Sequence, residues 1–353
     1  MDLRALMCER WQSKEYVVVG PAGAHGGVLL GVVAGILGAE GGDPFRKWRS
    51  GLKGAAGVSI GSLFAVGLTM GVDIRRLRCL MNRFPFGPIF TEDGKVVLES
   101  AGMSLTNGFN ELSRLQGIMS GASLFAVGES VLAAAGLRSD VTFKEIFEAT
   151  NFDLRIVATD LNSCKPIVFS HAFTPNTQLI HAMAASMCIP VLFKPIRIKG
   201  NENFRRFVCV DGAISDPFGL CAFPAELQKD NVLVVAKNVN LRHSNRTGSL
   251  ATILMSSLTM ATQANLNCAR IPFHNFVLGM VGVDTGKDET QVKSWAQLFD
   301  SPDTDEFVVD GICSVENMVL THALLVMLYV RALAEVCANR PARSPHEEPS
   351  LPT

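Results

Sequence analysis

Gly54-Ala55-Ala56-Gly57-Val58-Ser59-Ile60-Gly61-Ser62-Leu63-Phe64-Ala65 is the stretch whose reading decides the fold. Small and apolar residues lead into Ser59 and an apolar helical pattern leads out of it, so the serine stands on a turn between a strand and a helix. The spacing is G-x-S-x-G, with Gly57 and Gly61 as the outer positions. Glycines there let the backbone cross closely and keep the turn free of Cβ clashes, which exposes the hydroxyl. The following helix points its unpaired amide groups and positive dipole end at the place where an oxyanion would form. That is the geometry of a nucleophile. Taken alone, the motif also fits a serine that merely caps a helix.

Upstream, Tyr16-Val17-Val18-Val19-Gly20 has the β-branched run of a buried parallel strand. Pro21-Ala22-Gly23-Ala24-His25-Gly26-Gly27 follows as a glycine-rich loop, and an apolar helix starts at Val28. Strand, glycine loop and helix make an anion cradle, because successive backbone N–H groups converge there. The loop does not meet the G-x-G-x-x-G spacing of a dinucleotide site, and no acidic residue closes a following strand.

Downstream, residues 43–50 read as a polar connection and residues 73–84 as an arginine-rich helix. Phe84-Pro85-Phe86-Gly87-Pro88-Ile89-Phe90 is a proline-bound aromatic loop, either buried against helices, rimming an acyl-chain entrance or touching a membrane. Residues 121–136 form an apolar helix, and Thr142 and Glu145 stand at capping-box spacing. Strands over residues 154–160 and 167–170 make a hairpin or sheet edge, and a small-residue helix over 178–188 stops at Pro190. Phe207-Val208-Cys209-Val210-Asp211 is a strand with Gly212 and Ala213 after it. Its carboxylate thus lies at the carboxyl end of a strand, where ligand sites of open α/β sheets gather. Residues 231–236 give another strand, residues 250–280 and 315–338 read as chiefly helical, and the proline-rich tail over 339–353 reads as disordered.

Composition narrows the classes. The 353 residues include 32 Lys and Arg against 33 Asp and Glu, with 48% hydrophobic residues. No global field draws in nucleic acid, and no basic run carries interleaved aromatics. Nine scattered cysteines are odd in number and read as reduced small residues of an intracellular protein, cytoplasmic or membrane-peripheral. Neither C-x-x-C nor H-E-x-x-H occurs, so no metal site and no cofactor is expected. The charged amino terminus lacks the apolar core of a signal peptide. Apolar runs at 17–39 and 55–72 are broken by glycines and parse as strand, turn and buried helix, with no transmembrane span expected.

Several stretches now agree, in order, with one family. The chain resembles the patatin-like phospholipases, whose pattern runs from a glycine-rich loop with a basic residue, through G-x-S-x-G, to a later D-G-G or D-G-A. The counterparts here are Pro21 to Gly26, Gly57-Val58-Ser59-Ile60-Gly61, and Asp211-Gly212-Ala213. Val157 to Asn162 and Ala184 to Phe193 look like the family's internal strand and its small-residue helix ending at proline. The resemblance implies a three-layer α/β/α fold with a mainly parallel central sheet over residues 15–236; the residues over 237–338 are expected to form a mainly helical part packed on it. It also implies a Ser-Asp dyad that cleaves fatty acyl esters of phospholipids or similar lipids, with peripheral membrane contact. Ser59 is then the nucleophile, Asp211 its base, and the amides of Ala22, Gly23, Ala24 and His25 the oxyanion hole.

Two positions depart from the family pattern. Pro21 has no N–H to donate, and His25 stands where the family has Arg or Lys, which makes positive charge there pH-dependent. A catalytically impaired lipid-binding protein of the same fold is therefore one alternative. A Ser-His-Asp esterase is the other, with His171, His181, His274 and His322 as triad members that no spacing selects. Asp160 and Asp216 read as turn residues.

Overall fold

The structure, a computed structural model, describes residues 2–82, 91–92, 95–96, 117, 120–190, 192–200, 206–237, 276–279, 312–316 and 318–319. The aromatic loop at 84–90, most of the stretch read as helical beyond 237, His274, His322 and the tail lie outside the described residues.

Strands β1 (Tyr16–Val19), β2 (Gly54–Val58) and β5 (Asp153–Asp160) lie side by side in parallel, and β9 (Val232–Lys237) covers the other edge of β1. Strand β10 (Phe276–Gly279) adds to β9, again in parallel. The far side is antiparallel: β6 (Lys165–Ser170) folds back on β5, and β7 (Ile196–Lys199) pairs with β8 (Arg206–Asp211), which in turn pairs with β5. A separate two-residue ribbon joins β3 (Thr91–Glu92) to β4 (Lys95–Val96).

Side chains alternate across this sheet, as the period of a strand demands. Val17 and Val19 belong to a larger apolar cluster on one face and Val18 to a smaller cluster on the other; Ile156 and Val157 divide in the same way. The larger cluster is built with α1 (Leu3–Gln12), α2 (Gly27–Leu37), α3 (Gly42–Gly51), α4 (Gly61–Thr69), α5 (Ile74–Asn82), α6 (Ala122–Ala134), α7 (Phe143–Thr150) and α8 (Leu179–Ser186). The smaller one lies under Ala222, Phe223 and α9 (Ala225–Asp230). Both faces of the sheet are covered, which is why its central strands read as continuous apolar runs. The fold is three-layered α/β with a mostly parallel mixed sheet.

The capping box forms as its spacing requires: Glu145 N–H donates to Thr142 Oγ1, and the Glu145 carboxylate takes the Thr142 N–H at 2.8 Å. Two expectations are corrected. Residues 43–50, read as a connection, lie in α3, where Phe45 and Trp48 are buried three apart and Pro44 sits in the first turn, which tolerates a missing N–H. Phe276 to Gly279 falls inside a stretch read as helical and is a strand; a short apolar run carries no period that separates the two, and the open edge of β9 decides it. The apolar run 17–39 divides into β1, a loop and α2, and every residue of α2 is buried. Among the described residues no single helix is long and apolar enough to cross a membrane.

Candidate functional site

Ser59 follows the last residue of β2 with φ at +55°, a left-handed conformation that a residue with a Cβ adopts at a cost of about 1–2 kcal/mol. The flanking glycines show what holds it there. A Cβ on Gly57 would overlap Ser62 Cα, and one on Gly61 would overlap the Val19 carbonyl oxygen, so the start of α4 lies directly against the ends of β1 and β2. Turn and helix have no room to relax.

The second half of the site arrives from far along the chain. A strand has two hydrogen-bonding edges, and β6 takes one edge of β5 along residues 155–160. Strands β2 and β8 must therefore share the other edge, end to end. The last residue of β2, Val58, pairs with Val157, and the last residue of β8, Asp211, pairs with Ala158, the next position. The two strands run toward each other and stop at the same point. Ser59 Oγ donates to Asp211 Oδ2 at 2.7 Å across 152 residues of sequence. A Cβ on Gly212 would overlap the Val157 carbonyl, so the chain leaves Asp211 by a path that only glycine fits.

Asp211 is held from several sides. Its Oδ1 accepts the Ala213 N–H at 2.9 Å, its own N–H donates to the Cys188 carbonyl at 2.7 Å, and its carbonyl accepts from Thr159 Oγ1 at 2.9 Å. Thr159 Oγ1 also lies 2.7 Å from Ser215 Oγ. Asp211 is only 5% exposed. Burial pushes it up to about 6, against the opposing pull of the Ser59 and Ala213 hydrogen bonds. A carboxylate raised toward neutrality beside a hydroxyl is a stronger proton acceptor than an exposed one. Burial pushes the nearby Cys188 and Cys209 thiols up to about 12, so neither supplies a thiolate at neutral pH.

The loop over 21–26 lies against the elbow: a Cβ on Gly26 would come within 3.2 Å of Ile60 Cγ1. Gly23 has φ at +55° and opens the 3-10 turn Gly23–His25. The His25 N–H donates to the Ala22 carbonyl at 3.0 Å and closes that turn. The His25 ring corrects an expectation. Its Nδ1 lies 3.2 Å from Lys237 Nζ, and burial together with the Lys237 charge pushes the imidazole down to about 3. His25 is neutral at physiological pH; the positive charge beside the loop is on Lys237.

The described histidines considered for a triad lie elsewhere. His171 stacks on Phe147 with ring centroids 3.6 Å apart and its Nδ1 is 3.5 Å from Asp153. His181 packs edge-on against Phe125. Asp160 is a turn residue: its carboxylate accepts from Ser163 Oγ at 2.8 Å and from the Asn162, Ser163 and Val208 amides. Asp216 takes the Cys221 N–H at 2.7 Å. Sequence reading missed Ser186, whose Oγ accepts the Ser59 N–H, and Lys237 at the end of β9. Nothing local marks either residue. Among the described residues no group of three or more His, Cys, Asp or Glu is placed to hold a metal ion.

Fold and site together define a three-layer α/β protein built around a strand-to-helix elbow that presents a serine to a buried carboxylate. The family model for patatin-like phospholipases matches residues 17–223, and the chain belongs to that family. Over 102 residues it is 30% identical to the "Probable lipid hydrolase 463L" of Invertebrate iridescent virus 6, a match spanning 29% of this chain and 33% of that protein. Among solved structures it is similar to VipD from Legionella pneumophila, with a TM-score of 0.49 and 15% identity, over 88% of this chain and 67% of that one. It is also similar to the type III effector protein ExoU of Pseudomonas aeruginosa, with a TM-score of 0.41 and 16% identity, over 88% of this chain and 53% of that one.

Proposed function

We propose that this protein is a lipid acyl hydrolase of phospholipase A type that works through a Ser59–Asp211 dyad. The observation that carries the reading is the 2.7 Å hydrogen bond from Ser59 Oγ to Asp211 Oδ2 inside a buried site. Family membership supports the substrate class.

Asp211 takes the hydroxyl proton as Ser59 Oγ attacks an ester carbonyl, and the carbonyl oxygen becomes an oxyanion held by the Gly23 and Ala24 amides. The intermediate collapses by breaking the bond to the alcohol oxygen. Asp211 returns the proton to that oxygen, so the lysolipid leaves and the acyl group stays on Ser59. A water molecule, deprotonated by Asp211, then attacks the acyl-enzyme; the fatty acid departs and Ser59 regains its proton. No metal or cofactor enters this scheme, and contact with the lipid surface is peripheral.

The test is lipid hydrolysis by purified protein beside Ser59→Ala and Asp211→Ala, with a fluorophosphonate probe on the same samples. Turnover and labelling in the wild type, both lost in Ser59→Ala, is the expected result. An unreactive Ser59 in folded protein would overturn the reading. One second reading has a specific observation behind it. Pro21 lacks an N–H and the His25 N–H is bound to Ala22, which favours a lipid-binding protein with little turnover. Lipid that stays bound and uncleaved, equally in wild type and Asp211→Asn, selects that reading.

A further inference from the structure

Strand β9 runs on past the end of β1. Val235 is in register with Val19, the Gly20 N–H donates to the Val235 carbonyl at 2.8 Å, and a Cβ on Gly20 would come within 3.0 Å of Ala236 Cβ. The next residue, Lys237, is thereby delivered beside the glycine-rich loop, half-buried, with Nζ 3.2 Å from His25 Nδ1. The register also sets its distance from the elbow. Val19 pairs with Gly57 on one side and Val235 on the other; Lys237 stands two residues further along β9, and Ser59 two residues beyond Gly57, just past the end of β2. Two strand spacings separate their backbones by about 10 Å.

The contact with His25 helps to hold the ammonium. An ammonium is a donor only, so Nδ1 is the acceptor and the imidazole carries its proton on Nε2. A neutral histidine thus steadies a lysine cation without cancelling its charge. In a glycerophospholipid the phosphate lies a few bonds from the ester carbonyl, the same order of separation as that between Lys237 and the Ser59 elbow.

We infer that Lys237, steadied by His25, is a specificity-determining residue that binds the anionic phosphate of a phospholipid whose ester carbonyl lies over Ser59. The inference rests on the lipid hydrolase reading, and it names the charged part of the substrate. A phosphate lost from a lysine costs a charge-assisted hydrogen bond, worth about tenfold or more in affinity.

The experiment compares dioleoyl phosphatidylglycerol with dioleoylglycerol in mixed micelles, two lipids with the same acyl esters, one of them lacking the phosphate. In Lys237→Met the ratio of phospholipid to diacylglycerol kcat/KM should fall about tenfold, chiefly through KM, and Lys237→Arg should restore most of it. An unchanged ratio overturns the inference. Equal loss on both lipids, not rescued by arginine, also overturns it and assigns Lys237 to the loop's structure or to the oxyanion. Binding of a diether phosphatidylglycerol, which has no ester to cleave, should weaken about tenfold in Lys237→Met. Where the wild type cleaves neither lipid, the hydrolase reading fails, and this binding measurement still decides for or against Lys237.

Discussion

Ser186 Oγ accepts the backbone N–H of Ser59 at 2.8 Å while donating to the Val157 carbonyl at 2.6 Å. One hydroxyl from α8 thus ties the left-handed elbow residue to the strand on which β2 and β8 meet. Ser186 is fully buried, so no water replaces it when it is removed. Ser186→Ala leaves a donor and an acceptor unpaired in the core and should destabilise the fold by about 2–4 kcal/mol in urea titrations. With the elbow less constrained, kcat for ester hydrolysis should fall while KM changes little, because the hydroxyl touches no substrate.

Asp211 gives a prediction whose sign follows from linkage. Its carboxyl is raised from an ordinary 3.8 to about 6 in the fold, so the folded state holds a proton that the unfolded chain releases. Stability is therefore lost as pH climbs from about 4 to about 6, and the penalty persists above that. Asparagine carries no charge and can still accept from Ala213 and contact Ser59. Asp211→Asn should thus be more stable than wild type by about 1–3 kcal/mol at pH 8, with the difference gone near pH 3.5, although hydrolysis is abolished. Denaturant titrations at the two pH values check it; equal stability at pH 8 would contradict a buried, charged carboxylate.

The same group shapes the rate profile. On the proposed mechanism Asp211 has to be ionised, so kcat/KM on a soluble ester should rise with pH through a midpoint near 6 and level off above it. The His25 imidazole, pushed down to about 3, contributes no limb in this range. A midpoint near 4 would mean that the carboxylate is solvated during turnover.

The two kinds of glycine at the site should separate under substitution. Gly61→Ala puts a methyl group into the Val19 carbonyl, where only backbone movement relieves the overlap, and should cost more than about 3 kcal/mol. Gly23→Ala meets nothing within 4 Å among the described residues and bears the strain of φ +55°, about 1–2 kcal/mol. Thermal melts of the two variants, measured side by side, rank them.

What the sequence made legible is what depends on neighbours along the chain. The elbow could be read from Gly57, Ser59 and Gly61 because their spacing is itself the constraint, and Thr142 with Glu145 announced a helix start for the same reason. Asp211 could be placed at a strand end, yet its meeting with Ser59 depends on the register of β5 with two other strands, which no local pattern encodes. Ser186 carries the same local signal as any small residue in a packed helix. Lys237 stands 212 positions from the histidine it touches, so the expectation of a pH-dependent charge on His25 had no access to the burial and the neighbouring cation that push its imidazole down. The helix at Phe45 and Trp48 was masked by polar residues around an apolar pair three apart.

The head-on approach of β2 and β8 along β5 also sets a timetable during synthesis. A ribosome that has released the serine must still make the 152 residues up to its carboxylate, on the order of ten to thirty seconds at ordinary elongation rates. Through that interval the hydroxyl has no proton acceptor of its own. On the proposed mechanism, a nascent lipase stays harmless to nearby bilayers until the antiparallel side of its sheet has been laid down.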